Sequence, residues 1–252
     1  MFVHQAHAFT RQARFVLKLA AIAGYTNILT VLMCGTVTSH VSGTISNLGH
    51  DLAKGEWMMA LFAFAVVFAF FTGASLTGLL EELGRRSQWR ARYALPLAVE
   101  MLLMLALLVA FELHAQAPFE PGNLFTYVAC VAAFALGVQN ATITRISGGV
   151  IRTTHVTGVT TDLGLEFSLL IAKVWDHWLS TPRQQSDKTR MLNVHSPRRF
   201  LLLAAILGSF AEGSMLGTLA YIHAGRHAML LPVVVLIITI IRDFQKPFAG
   251  TG

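Results

Sequence analysis

Charge is what this sequence has least of. Only 13% of its 252 residues are Asp, Glu, Lys or Arg, about half the ~25% usual in soluble domains. Hydrophobic residues make up 54%, and the mean hydropathy is +0.59. So few charges cannot cover a soluble surface, which excludes an ordinary globular fold. The apolar content excludes a disordered chain, and glycine without a collagen period excludes a fibre. Cysteine is nearly absent: Cys34 and Cys130 are the only two. Both lie inside apolar segments without CxxC spacing, so they read as free thiols rather than a disulfide scaffold or metal site. There is no Walker loop to bind ATP. HExxH and G-x-S-x-G patterns are missing too. His4 and His7 alone are too weak a pattern for a metal site. The expectation is no cofactor, no resident metal and no assigned catalytic residue.

What is present is apolar length. A spanning helix needs ~20 mainly apolar residues. Six segments approach that: Val16–Met33, Trp57–Leu80, Tyr93–Leu113, Asn123–Thr144, Phe200–Ile222 and about Ala228–Ile241. The first is too long for a signal-peptide core and lacks a cleavage site, so it reads as a membrane helix. The net charge of +6 does not indicate nucleic acid, because the basic residues sit between apolar runs rather than in one patch. Topology explains them. With six spans and the N-terminus inside, all of the 19 Lys and Arg residues except Lys54 and Arg226 fall on the inner side. That bias predicts a membrane protein with both termini cytoplasmic. The polar, proline-containing stretch 180–199 reads as a cytoplasmic loop. Ala115–Asn123 reads as a short external turn.

The most informative feature is a repeat. Thr38-Ser39-His40-Val41-Ser42-Gly43 and its continuation to Gly49 return as Thr153-Thr154-His155-Val156-Thr157-Gly158 and its continuation to Gly164. Six of the twelve positions are identical, and three more exchange Ser for Thr. Upstream, Gly24-x-x-Asn27 matches Gly137-x-x-Asn140. Downstream, Gly73-Ala74-Ser75 resembles Gly213-Ser214-Met215. We read a duplication, residues 1–120 and 121–252, within one membrane domain. Three spans per copy is an odd number, so the second copy would enter the membrane inverted, as in many secondary transporters. The expected fold is all-α and polytopic: about six transmembrane helices as two inverted three-helix repeats, with broken or interfacial helices after each motif. The second motif, Arg152 to Gly158 followed by Thr161-Asp162-Leu163-Gly164, resembles the YoaK-like family of bacterial integral membrane proteins, a domain of unknown function. The likeness covers nearly the whole chain. The first motif departs from it, since relatives tend to carry Asn where Thr44 stands. The resemblance implies a fold and no activity.

Several residues are candidates for substrate binding or proton coupling. His40, Ser42, His155 and Thr157 in the repeated blocks can line a polar site, because glycine permits a helix break and hydroxyls satisfy the freed backbone; the alternative is that the blocks only shape the break. Asn47 corresponds to Asp162, and Asp51 to Glu166, so an acid recurs in both copies. If buried, Asp51 and Glu166 would hold protons more tightly. Asp162, Glu166, Lys173 and His177 share one helical face, opposite Leu163, Phe167, Leu170 and Val174; residues 160–178 are either interfacial, re-entrant or spanning. Glu100 and Glu212 lie inside spans, where a charge costs ~2.5–3.5 kcal/mol on insertion scales. Glu212, mid-span beside Gly213, stands out, and Glu100 is close enough to an end to snorkel. Asn27, Gln139 and Asn140 are amides within spans. Gly213-x-x-x-Gly217 and Ala74-x-x-x-Gly78 are spacings for close helix packing. The leading expectation is a small-solute transporter or permease, with the lipid bilayer and an unknown solute as partners, a homo-oligomer in reach and no nucleic acid. The alternatives are an intramembrane enzyme acting on a lipid-like substrate and a non-catalytic scaffold or sensor.

Overall fold

A computed structural model describes residues 2–35, 38–89, 91, 93–113, 124–146, 156–179 and 197–245. Every regular element among them is helical. Eight α-helices follow in order: α1 Phe2–Cys34, α2 Val41–Lys54, α3 Trp57–Arg86, α4 Ala94–Leu113, α5 Leu124–Ile146, α6 Val156–Leu179, α7 Pro197–Ala224 and α8 Leu230–Gln245. A 3₁₀ turn, Gly225–Met229, joins the last two, entered through Gly225 at a φ of +54°, a conformation only glycine takes without strain. Five segments are long and apolar enough to cross a membrane: Val16–Met33, Trp57–Arg86, Ala94–Glu112, Thr126–Ile146 and Arg199–Gln245. The last is 47 residues long and runs through α7, the 3₁₀ turn and α8.

Two helix pairs carry the bundle. α1 packs along α7, and α3 along α5. Each pair closes on glycine. A Cβ at Gly24 would overlap the Phe210 carbonyl, and one at Gly213 would overlap the Ala21 carbonyl. In the other pair, Gly73 meets the Phe134 carbonyl and Gly137 meets the Phe70 carbonyl. Only a residue without a side chain lets two backbones approach this closely. The glycines of the duplicated sequence therefore do the same work in both copies. Beyond each crossing the contacts climb both helices together. Thr77 Oγ1 donates to Val138 O at 3.3 Å, and Arg145 Nε pairs with Glu81 Oε2 at 3.1 Å. Gly217 likewise meets Tyr25 and Ile28. The helices within each pair thus run parallel.

α1 and α5 join the pairs and run opposite ways. Leu19 and Ala23 cluster with Ile143, whereas Leu29 and Met33 share the main core with Val128, Ala132 and Ala135. α4 fills the side against α5 and α8. Leu97, Met104 and Leu107 are at most 1% exposed there. The outside is equally apolar: Phe64, Phe68 and Phe71 of α3 are more than half exposed and stack along it. Charged groups gather toward the helix ends. Glu82 holds Arg85 and Arg86 near the end of α3, and Glu112 faces Arg226 and His227 at the end of α4.

The segment after α1 turns back. Thr38 Oγ1 donates to Thr30 Oγ1 at 3.3 Å, and Ser39 Oγ donates to Asn27 Oδ1. Rising residue numbers meet falling ones, so the chain descends alongside α1 before α2 begins. Gly55, at φ +74°, then ends α2, and Glu56 N–H bonds Asp51 O at 2.9 Å. This tight turn folds α2 antiparallel onto α3. The inward stripe of α2 is Val41, Thr44, Leu48 and Asp51. α6 repeats it on α7 with Val156, Val159, Leu163 and Glu166, while Ile171, Val174 and Trp175 are exposed.

Candidate functional site

Polar side chains collect where α1 and α5 cross. On α1, Thr26, Asn27 and Thr30 are buried; on α5, Gln139 and Thr142 are buried and Asn140 is half-buried. Ser39 reaches in from the returning segment. α4 contributes Glu100, 1% exposed, whose Oε1 accepts a 2.7 Å hydrogen bond from Gln139 Nε2. Most hydroxyls here bond back to their own helix, as Thr30 does to Asn27 O and Thr142 to Val138 O, both at 2.8 Å. That local bonding is how Ser and Thr are tolerated in apolar helices. Two atoms depart from it. Thr26 Oγ1 and Gln139 Oε1 are buried without a hydrogen-bond partner. They occupy the same place in the duplicated pattern, Gly24-Tyr25-Thr26-Asn27 and Gly137-Val138-Gln139-Asn140. A buried polar atom left unpaired costs ~1–3 kcal/mol, so such a pair at the middle of a helix crossing is suited to a guest carrying hydrogen-bond groups.

The sequence candidates separate into three groups. Glu100 and Asn140 belong to this crossing. Glu100 does not snorkel, because burial against Gln139 takes it inward. Asp51 and Glu166 do occupy matching inward positions, on the outer helices. Asp51 is half-buried and 3.0 Å from exposed His50. Glu166 is 4% exposed, and its Oε1 lies 3.3 Å from Arg199 Nε. The polar face expected for α6 is therefore corrected: Asp162 is exposed while Glu166 turns to α7, and Phe167, expected on the opposite face, is exposed and stacks on Phe200 at 6.0 Å.

His40, Ser42, Asn47 and Thr157 form the third group, all exposed. His40 is the residue capping α2, but its side chain makes no capping bond. His155 and the stretch before it lie outside the described residues, as do the turn 114–123 and the loop residues 180–196. Glu212 lies in the middle of α7 with an exposed side chain, because Gly213 and Gly217 take the packing face. Gly78 faces open space, so its spacing with Ala74 brings no close approach. Among the described residues no three His, Cys, Asp or Glu side chains stand together as a metal site.

Sequence reasoning missed Thr26, although the duplication pointed to it as the partner position of Gln139. It also missed Asp243, fully buried near the end of α8; a single acid at a helix end gave no pattern to read.

An apolar exterior, helices of spanning length and charges gathered toward the helix ends define the class: a helical integral membrane protein. The sequence matches the family described as Protein of unknown function (DUF1275) over residues 15–242, and the chain belongs to that family. No curated protein and no solved structure matches it.

Proposed function

We propose that this protein is a small-solute transporter or permease of the inverted-repeat type. In this reading Arg199–Gln245 crosses the membrane twice, giving six spans. α1, α3 and α4 form one repeat, and α5, α7 and α8 form the other, inverted in the bilayer. Both termini are cytoplasmic, and the membrane is the bacterial inner membrane, in keeping with the resemblance to the YoaK-like family. α2, with 14 residues, and α6, with 24, are the helices that follow the repeated motif in each copy, and they enter from opposite sides.

The observation that carries the reading is the Thr26–Gln139 pair. Repeat-related positions on two antiparallel helices each bury an unpartnered polar atom at their crossing. Inverted-repeat transporters place their sites near the midplane, at the repeat interface, next to broken helices. The enzyme reading has less support, since Glu212 and His40 are both exposed.

The test is side-specific labelling. Cys34 and Cys130 are replaced, and a single cysteine is placed at Ser42 or at Thr157. A membrane-impermeant maleimide is applied to intact cells and to inverted vesicles. Labelling from opposite sides is expected; labelling of both positions from the same side only overturns the inverted arrangement. Thr26→Val is expected to reduce uptake of whichever solute a subsequent screen identifies.

A further inference from the structure

We propose that Glu100 is an exchangeable proton site of this bundle, with the Gln139 amide as its partner in both protonation states. The inference rests on the transport reading only for what the proton is used for. Glu100 sits on α4 about 9 Å along the helix axis from Ala94, inside a segment of spanning length. It is 1% exposed. A lone carboxylate in such a place is costly unless it is paired or takes up a proton.

No cation among the described residues is in contact with it. On α5 the basic group is Arg145, more than a helical turn beyond Gln139 and held by Glu81 at 3.1 Å. On α3 the charged groups are Glu81, Glu82, Arg85 and Arg86, gathered near its end. On the 3₁₀ turn, Arg226 and His227 face Glu112 at 3.3 and 3.5 Å, at the opposite end of α4. On α8, Arg242 and Asp243 lie in the last turn.

The partner that does touch Glu100 suits both of its forms. A carboxylate only accepts hydrogen bonds, whereas a carboxylic acid also donates one. A primary amide offers two N–H donors and a carbonyl acceptor. Gln139 Nε2 already donates to Glu100 Oε1 at 2.7 Å, while Gln139 Oε1 has no partner. A proton on Glu100 supplies the donor that this carbonyl lacks. On release, the acid O–H bond breaks and its electron pair stays on the carboxylate. The proton passes to water or to a basic group of the solute, and nothing is oxidised or reduced.

The experiment is infrared difference spectroscopy on the full chain reconstituted in lipid, cycled between mildly acidic and mildly alkaline buffer. The expected result is a reversible carbonyl band of a protonated carboxyl, lost in Glu100→Gln and moved in frequency in Gln139→Leu. A difference spectrum identical in wild type and Glu100→Gln overturns the proposal. If Glu100→Gln does not fold, Glu100→Asp keeps an acid on a shorter stem, and a band left unmoved by it also overturns the proposal. Uptake is read separately. A Glu100 band in a protein that moves no solute keeps the proton site and removes the transport reading. Uptake without that band does the reverse.

Discussion

The two halves of this chain fold alike at their glycines and differ at their polar residues. Gly24 and Gly137 each lie against a phenylalanine carbonyl, and Gly73 and Gly213 lie against the facing helix of the same pairs. At the next comparable positions the halves part. Thr26 carries a short hydroxyl, while Gln139 carries an amide long enough to reach Glu100 on α4. On the outer helices Asp51 lies beside exposed His50, while Glu166 is paired with Arg199. The difference teaches that the repeat keeps the backbone approach at its glycines, where a side chain would meet a carbonyl, and varies the polar side chains beside them.

The sharpest way to break the comparison is at the glycines. Gly24→Val, Gly213→Val, Gly73→Val and Gly137→Val each place a side chain into backbone. Core overpacking typically costs ~1–3 kcal/mol and occasionally more, and here the obstacle is a carbonyl that cannot rotate away. All four variants are expected to lose the monodisperse folded form in size-exclusion chromatography in mild detergent. If one crossing tolerates the change and the other does not, the equivalence of the halves fails.

The next effect separates Gln139 from Thr26. Gln139→Leu leaves Glu100 without its donor, and a loss of about 2 kcal/mol is expected. Thr26→Val removes a hydroxyl that has no partner, so stability is expected to hold or rise, by up to about 1 kcal/mol. Thermal unfolding in one detergent reads both variants. Equal losses at the two positions would show that Thr26 has a partner in solution.

A smaller contrast lies between Arg199→Ala and His50→Ala. The first removes the cation beside nearly buried Glu166, and about 1 kcal/mol is expected to be lost, since Arg199 itself is half exposed. His50→Ala is expected to stay within about 0.5 kcal/mol, as exposed pairs contribute little. The same unfolding measurement reads the difference.

The smallest effect is Gly78→Ala. Nothing lies within 4 Å of the added carbon. Helix propensity alone favours alanine by up to about 1 kcal/mol. A destabilised variant would place an uncharted neighbour on that face of α3.

Much of the fold was legible because apolar length is a composition signal. The first apolar run, Val16–Met33, lies inside the longer helix α1, Phe2–Cys34. The register of Asp51 with Glu166 followed from the duplication and proved to be one shared inward stripe. Facing direction was harder to read. In a membrane both sides of a helix are apolar, so periodicity points nowhere, and Glu212 seemed the strongest acid because it was central. The small residues held the answer: Gly213 and Gly217 take the packing face of α7, and one residue earlier the helix has turned about 100° away. On α5, Gln139 is two residues past Gly137, turned toward the far side from α3, where α4 waits.

By itself, the sequence determined that the chain is helical, membrane-embedded and internally repeated, because length, charge scarcity and repetition are properties of the chain alone. Only the tertiary structure decided that Glu100 is sheltered and Glu212 exposed, that Ser39 returns to Asn27, and that Thr26 and Gln139 bury unpartnered atoms at one crossing. Those outcomes depend on which helices meet and at what rotation. Backbone approach between distant segments sets both, and no local pattern encodes it.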